Sequence, residues 1–268
     1  MLGRSAKASP IGKPPHPKLI ITIDGPAGVG KSTVAKLLAR RLGLVYLDTG
    51  ATYRALAYAA LSQGIDPNDV AHLVRVAKSL RLDLHQVRED AIRVILNGCD
   101  VTRQIRTERI TDAAAVVAQH PPVRAALVRL QRKLARADAL VVEGRDTGSV
   151  VFPQARYKFF LTANARVRAR RRQMELRSLQ GRSPALSTIA RQLAARDRLD
   201  RLRKIGPLIR PRGAVVLDTS RLTTTEVVQR MLRYLRFQNH GPHHRGHRIP
   251  RSVATTWLYA TEAQRNFR

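Results

Sequence analysis

The stretch Leu19-Ile-Ile-Thr-Ile-Asp24, continued by Gly25-Pro-Ala-Gly-Val-Gly-Lys31-Ser32, decides the fold of this chain. A short run of apolar and β-branched residues that stops at glycines predicts a buried parallel strand. The glycine-rich part matches G-x-x-x-x-G-K-[ST], and the apolar spacing from Lys31 to Leu42 predicts the helix that this motif requires behind it. Strand, loop and helix together predict a loop that holds the phosphates of a nucleoside triphosphate.

Each part of this phosphate-binding loop (P-loop) has a chemical role. Its glycines let backbone N–H groups approach a phosphate closely, and the next helix adds its positive N-terminal end. Lys31 is expected to reach the β- and γ-phosphate oxygens, and the Ser32 hydroxyl is expected to bind Mg²⁺. The predicted nucleotide-binding residues are therefore Gly25, Pro26, Ala27, Gly28, Val29, Gly30, Lys31, Ser32 and Thr33.

The pattern of strands and helices outside the loop predicts an α/β fold. A second strand, 44–47, is followed by a helix through 52–61. Further apolar strands are predicted at 139–142, 157–161 and 215–217, and a last helix at 224–236. Strands that alternate with helices predict a parallel sheet flanked by helices on both faces.

Two segments depart from this alternation. Residues 66–106 combine a short helix with partly alternating strands and the turn Asn97-Gly98, which predicts a small antiparallel insert. Residues 166–212 hold 15 basic and three acidic residues and predict two helices joined around residues 181–184. There, Ser183 is expected to cap the second helix and Pro184 to take its first position. We predict a helical lid over 181–206.

Composition sets limits on compartment and partners. The chain has 268 residues and a net charge of +30, which predicts attraction to phosphates on nucleotides or on nucleic acid. No apolar run is long enough to span a membrane, and Cys99 is the single cysteine, so a reducing compartment fits. We expect a cytoplasmic monomer with a folded domain at 19–238. The basic leader 1–18 and the His/Arg-rich tail 239–268 are predicted to be disordered, and a contact of these ends with RNA or DNA stays open.

Three further motifs predict a second anion site. Leu47-Asp-Thr-Gly-Ala-Thr-Tyr-Arg54 and Val142-Glu-Gly-Arg-Asp-Thr-Gly-Ser149 both follow strands, where loops face the ligand crevice of a parallel sheet. Arg54 and Arg145 are suited to an acceptor phosphate, whereas Glu143 is expected to hold Mg²⁺ through water. In the fourth motif, Arg196, Asp200 and Arg203 are predicted to share one helical face.

The four motifs together resemble the bacterial cytidylate kinase family of P-loop nucleoside monophosphate (NMP) kinases. The resemblance rests on TIDGPAGVGKST, LDTGATYRALA, IRTERI, EGRDTGSVVFP and RDRLDRLRKIGPL, in the family's order and spacing, from about Lys18 to Arg236. It implies the NMP-kinase fold with an NMP-binding insert and a lid. It also implies transfer of the γ-phosphate of ATP to CMP or dCMP.

The resemblance implies roles for individual residues. The implied catalytic residues are Lys31, Arg145, Arg196 and Arg203. The implied acceptor-binding residues are Thr49, Tyr53, Arg54, Arg106, Arg145, Asp146, Arg196, Asp200 and Arg203, with Arg106 and Asp146 on cytosine and Asp200 on ribose. Arg168, Arg171 and Arg172 are implied as lid or hinge arginines. Two alternatives stay open: a P-loop kinase of UMP or of a non-nucleotide acceptor, and a nucleic-acid-associated NTPase.

Overall fold

A computed structural model describes residues 19–88, 91–135, 139–181 and 183–240 of the chain. The predicted leader and all but the first two residues of the predicted tail lie outside these residues. Across the described parts of the chain, no helix is both long and apolar enough to cross a membrane.

The helices and strands of the described residues follow one another in this order: β1 (Leu19–Asp24), α1 (Lys31–Leu42), β2 (Val45–Asp48), α2 (Thr49–Ser62), α3 (Val70–Ser79), β3 (Leu82–Arg88), β4 (Ala91–Leu96), β5 (Cys99–Asp100), α4 (Glu108–Val117), α5 (Pro121–Leu134), β6 (Ala139–Gly144), β7 (Tyr157–Thr162), α6 (Ala165–Gln180), α7 (Leu186–Arg201), β8 (Val215–Asp218) and α8 (Thr224–His240). A short 3₁₀ helix covers Gln104–Arg106, and a π-helical turn covers Thr147–Val151.

The main sheet has five parallel strands in the order β2-β6-β1-β7-β8. Alternate side chains leave opposite faces of a strand. Ile21 and Ile23 of β1 accordingly pack with α1 and α8, whereas Leu140 and Val142 of β6 belong to a separate apolar cluster. β1 lies between β6 and β7 in the sheet. The P-loop, which follows β1, therefore opens at a point where the strand order reverses, and ligands bind at such points in parallel sheets. The predicted parallel α/β fold is confirmed.

The segment predicted as an antiparallel insert contains α3 and a three-stranded antiparallel sheet of order β3-β4-β5. Its β4–β5 turn is Asn97-Gly98, and both residues have positive φ (50° and 86°), as a tight hairpin turn requires. Leu73, Leu82 and Val94 are buried in one core with α2, α4 and α5. The insert is thus attached to the rest of the fold through these three helices.

Helices α6 and α7 form a hairpin that differs from the prediction at two points. Helix α7 begins at Leu186 after an extended Ala185, so the predicted cap at Ser183 and first position at Pro184 are wrong by two residues. The Pro184 carbonyl instead accepts a hydrogen bond from Gln173 of α6, which keeps this connection extended. Helix α7 ends at Arg201, so Arg203 lies beyond the helix and not on its face as predicted.

Candidate active site

One cleft of about 1060 Å³ lies at the carboxyl ends of β1, β2 and β6. Residues 27–33 of the P-loop and every residue predicted for the acceptor line it, and so do residues of α4, α6 and α7. Ten basic side chains border the cleft against five acidic ones. Such an excess of positive charge favours ligands that carry several negative charges.

The glycines of the P-loop are required by its backbone. Gly25, Gly28 and Gly30 have φ values of 150°, 76° and 90°, which side chains rarely tolerate. A Cβ on Gly25 would also overlap the Leu161 carbonyl of β7. This geometry turns the chain back over the start of α1, so the positive N-terminal end of that helix faces the cleft.

Lys31 is buried beneath the loop, and its Nζ donates a hydrogen bond to the Pro26 carbonyl at 2.7 Å. Burial, followed by the charge of Arg145, lowers the pKa of Lys31 to about 7. A phosphate placed here would compensate both effects because it supplies a negative partner. The lysine is therefore positioned for a nucleotide phosphate.

The residues beside Lys31 fit a magnesium ion. The Glu143 carboxylate accepts a hydrogen bond from the Tyr46 hydroxyl at 2.8 Å, and the nearby Ser32 hydroxyl acts to lower its pKa. Burial raises the pKa of Glu143, and the charge of Asp48 adds to the shift, so a cation is favoured there. Hydroxyl and carboxylate oxygens suit Mg²⁺, which otherwise keeps water and phosphate ligands.

Asp48 and Arg54 form the next part of the site. Asp48 caps α2 by accepting from the Ala51 N–H and pairs with Arg54 at 2.7 Å. Burial alone would raise the pKa of Asp48, but Arg54 lowers it below its ordinary value. Arg106 is exposed on the 3₁₀ helix, and its charge also acts on Asp48. Thr49, the first residue of α2, connects the start of this helix to β6 by donating a hydrogen bond to the Glu143 carbonyl at 2.7 Å.

Asp200 gathers two arginines from different segments. Arg145 pairs with one of its carboxylate oxygens at 2.9 Å, and Arg203 pairs with the other. Burial would raise the pKa of Asp200, but these arginines lower it. Arg196 has no ion pair among the described residues, and burial with the charge of Arg145 lowers its pKa to about 10. Cations therefore exceed carboxylates here, as a phosphate site requires.

Asp146 has a partner that sequence reasoning missed. Arg124 of α5 is 1% exposed, forms an ion pair with Asp146 and stands 5.4 Å above the Tyr53 ring. Burial raises the pKa of Tyr53 to about 12, so its hydroxyl stays neutral. Gly206 packs against the pair with φ of 64°, and a Cβ there would overlap both charged groups. A signal was present in the sequence, because Arg124 shares the apolar face of α5 with Leu127 and Val128.

The three arginines predicted for the lid or hinge have different partners. Arg168 pairs with Asp197 of α7 and donates to the Ala27 carbonyl at 3.2 Å. Arg171 donates to the Val29 carbonyl at 3.3 Å, and Arg172 pairs with Glu175 at 2.9 Å. Two of the three therefore hold the P-loop backbone. Asp197 is a second residue that the sequence interpretation did not single out.

The cytidylate kinase family model matches residues 21–237, which is most of the chain. The chain belongs to the cytidylate kinase family. A cytidylate kinase from Caldanaerobacter subterraneus subsp. tengcongensis is 45% identical over 221 residues, covering 82% of this chain and 96% of that protein. A cytidylate kinase from Halalkalibacterium halodurans is 42% identical, covering 82% of this chain and 98% of that protein. The family predicted from the four motifs is confirmed.

Proposed function

We propose that this cytidylate kinase family member transfers the γ-phosphate of ATP to CMP or dCMP, giving ADP and CDP or dCDP. The observation that carries the proposal is that a P-loop and a separate group of arginines border one cleft. The names of its relatives, cytidylate kinases that the match covers almost entirely, support the same acceptor.

The donor nucleotide occupies the P-loop. Backbone N–H groups of residues 28–33 and the start of α1 surround the β-phosphate, and Lys31 reaches the transferred group. Ser32 and Glu143, the latter through water, hold Mg²⁺, which neutralises charge on the β- and γ-phosphates when bound. When the nucleotide binds, Lys31 exchanges its hydrogen bond to the Pro26 carbonyl for one to a phosphate oxygen.

The acceptor needs no strong base. A nucleotide phosphate has a second pKa of about 6, so at neutral pH its oxygen is already mostly ionised. That oxygen attacks the γ-phosphorus, and the bond to the β–γ bridging oxygen breaks to release ADP. Catalysis then consists of bringing two polyanions together and balancing their charge. The proposed acceptor arginines do this: Arg54, Arg145, Arg196 and Arg203.

Base selection is assigned to Asp146 with Arg124. A carboxylate accepts from the exocyclic amine of cytosine, and a guanidinium donates to its ring nitrogen or carbonyl. Uracil presents an acceptor oxygen where cytosine has the amine, so Asp146 disfavours it. Tyr53 packs against Arg124, and Asp200 is assigned to the ribose. Arg106, beside Asp48, stays a predicted contact of cytosine.

The lid 181–206 and the insert 66–106 are proposed to close over both nucleotides. Closure excludes water, which limits ATP hydrolysis and strengthens the electrostatic contacts inside the cleft. The protein is proposed to work as a cytoplasmic monomer. Its basic ends are not needed for this chemistry, because the proposed site residues all lie between 25 and 203.

An acceptor panel tests the proposal. ADP release from ATP is measured with CMP, dCMP, UMP or AMP, without acceptor, and with RNA. We expect turnover with CMP and dCMP, weaker turnover with UMP and the least with AMP. ATP consumption that is independent of CMP and rises with RNA would favour the nucleic-acid-associated NTPase and contradict the proposal.

A further inference from the structure

The backbone N–H and C=O of one P-loop residue, Ala27, are both held by the α6–α7 hairpin. The Ala27 N–H donates to Asp197 Oδ1 of α7 at 3.2 Å, and Arg168 Nη1 of α6 donates to the Ala27 carbonyl at 3.2 Å. Arg168 and Asp197 also pair with each other, with side chains only 12% and 3% exposed. A hydrogen-bonded ion pair in such surroundings fixes the orientation of the two peptide groups that flank Ala27.

The side chain of Ala27 strengthens this connection. It packs in the small apolar core of the hairpin with Leu176, Ile189 and Leu193. At the next residue, a Cβ on Gly28 would stand only 3.0 Å from the Arg168 carbonyl, so the α6 backbone lies directly on the loop. At this point the P-loop and the base of the hairpin form one packed unit.

Helix α7 carries the same connection to the acceptor site. Arg196 directly precedes Asp197, and Asp200 follows it by three residues, a rise of about 4.5 Å along the helix. Asp200 holds Arg145 and Arg203 at the proposed acceptor site. Because a helix turn is stiff, a change in the position of Asp197 displaces Asp200 as well.

We propose that Asp197 is a positioning residue that couples the donor and acceptor sites. With Arg168 it fixes the backbone N–H and C=O of Ala27, and through α7 it determines the position of the arginines around Asp200. The inference rests on the proposed function, since it takes the P-loop as the donor site and the Asp200 cluster as the acceptor site. Asp197 reaches neither substrate's reacting atoms; it acts through the loop and the helix.

Calorimetry of substrate binding tests the coupling directly. The affinity of a non-hydrolysable ATP analogue is measured with and without saturating CMP, in the wild-type protein, Asp197→Asn, Asp197→Ala and the control Arg198→Ala. Arg198 is the exposed neighbour on α7. We expect CMP to change analogue affinity by about 5-fold or more in the wild type and the control. We expect this ratio to fall to within about 2-fold of one in Asp197→Ala, with analogue affinity alone about 10-fold weaker.

The variants separate positioning from simple structural support. Asp197→Asn keeps an oxygen for the Ala27 N–H but loses the charge that holds Arg168, so its ratio should lie between wild type and Asp197→Ala. Unchanged affinity and coupling in both variants, whatever their melting temperatures, would overturn the inference. A wild-type protein without coupling would overturn it too. Should Asp197→Ala not fold, Asp197→Asn and Arg168→Lys are judged by the same criteria.

The same preparations distinguish this inference from the proposed function. If the wild-type protein forms no ADP with CMP, the proposed function fails. If it does so while the Asp197 variants keep full coupling, only the inference fails.

Discussion

The donor and acceptor halves of the cleft are built in different ways. The donor half is one continuous loop, residues 25–33, whose shape comes from positive-φ glycines and whose single buried cation is Lys31. The acceptor half draws side chains from β2, α2, α5, β6, α7 and the segment beyond it. Its arginines are mostly paired with carboxylates before any ligand binds, as in Arg54–Asp48 and Arg145–Asp200.

This difference indicates how each half responds to its ligand. A backbone loop presents N–H donors that need not release another acceptor before they bind phosphate. Its affinity for the nucleotide therefore depends on the shape of the loop and on one lysine. A network of paired arginines holds its geometry without ligand, and the surplus charge of Arg196 is left for the incoming phosphate. Substitutions should therefore affect one substrate at a time, except at Lys31 and along the Asp197 connection.

Lys31→Ala should have the largest effect, because it removes the lysine that we propose reaches the transferred group. We expect kcat with ATP and CMP to fall by about 10²–10³-fold or more. Steady-state ADP formation measures this, and circular dichroism checks that the variant is folded. Residual activity within about 10-fold of wild type would exclude the assigned role of the lysine.

Arg124→Met tests the buried pair on the acceptor side. Removing one partner of the Arg124–Asp146 pair leaves a buried carboxylate without compensation, so the free energy of unfolding should fall by about 3–5 kcal/mol. Denaturant melts measure the loss. The double variant Arg124→Met with Asp146→Leu should recover most of the stability but not the preference for CMP over UMP, since base contacts are absent. If the preference survives in the double variant, the base assignment is wrong.

Arg54→Ala should weaken the acceptor alone. Loss of a charge-assisted contact to the CMP phosphate predicts an increase in KM for CMP of roughly 10- to 100-fold, with KM for ATP changed by less than about 3-fold. Initial rates with either substrate varied give both constants. Arg75→Ala, on helix α3 and outside the cleft, is the matched control. Equal changes in both KM values would contradict the separation of the two halves.

The smallest predicted effect is the uptake of protons by Lys31 when ADP binds. Its pKa of about 7 in the free protein means that the amine is mostly neutral at about pH 8. A bound phosphate raises that pKa, so ADP binding at this pH should take up about 0.5–1 proton, and less as pH falls below about 7. Calorimetry in two buffers of different ionisation enthalpy measures the uptake. No uptake at either pH would show that Lys31 is already charged.

Much of the fold and most residues of the candidate site follow from the sequence, for a physical reason. The P-loop is local, so its spacing alone places Lys31 and Ser32, and β1, α1 and β6 lie within one or two residues of their predicted positions. Arg124 and Asp197 act through contacts between distant segments. Local spacing marks Arg124 as facing the core, but it does not reveal the partner of either residue. The start of α7 was misplaced because a contact from Gln173, and not local capping chemistry, holds Pro184 in the connection.

The fate of the γ-phosphate tests the central claim most directly. ATP labelled in that group is incubated with CMP, Mg²⁺ and the full chain, and the labelled products are separated. Direct transfer between two sites in one cleft predicts label in CDP, in step with ADP formed, and almost none in inorganic phosphate. Label released mainly as inorganic phosphate, with CMP unchanged, would contradict the account.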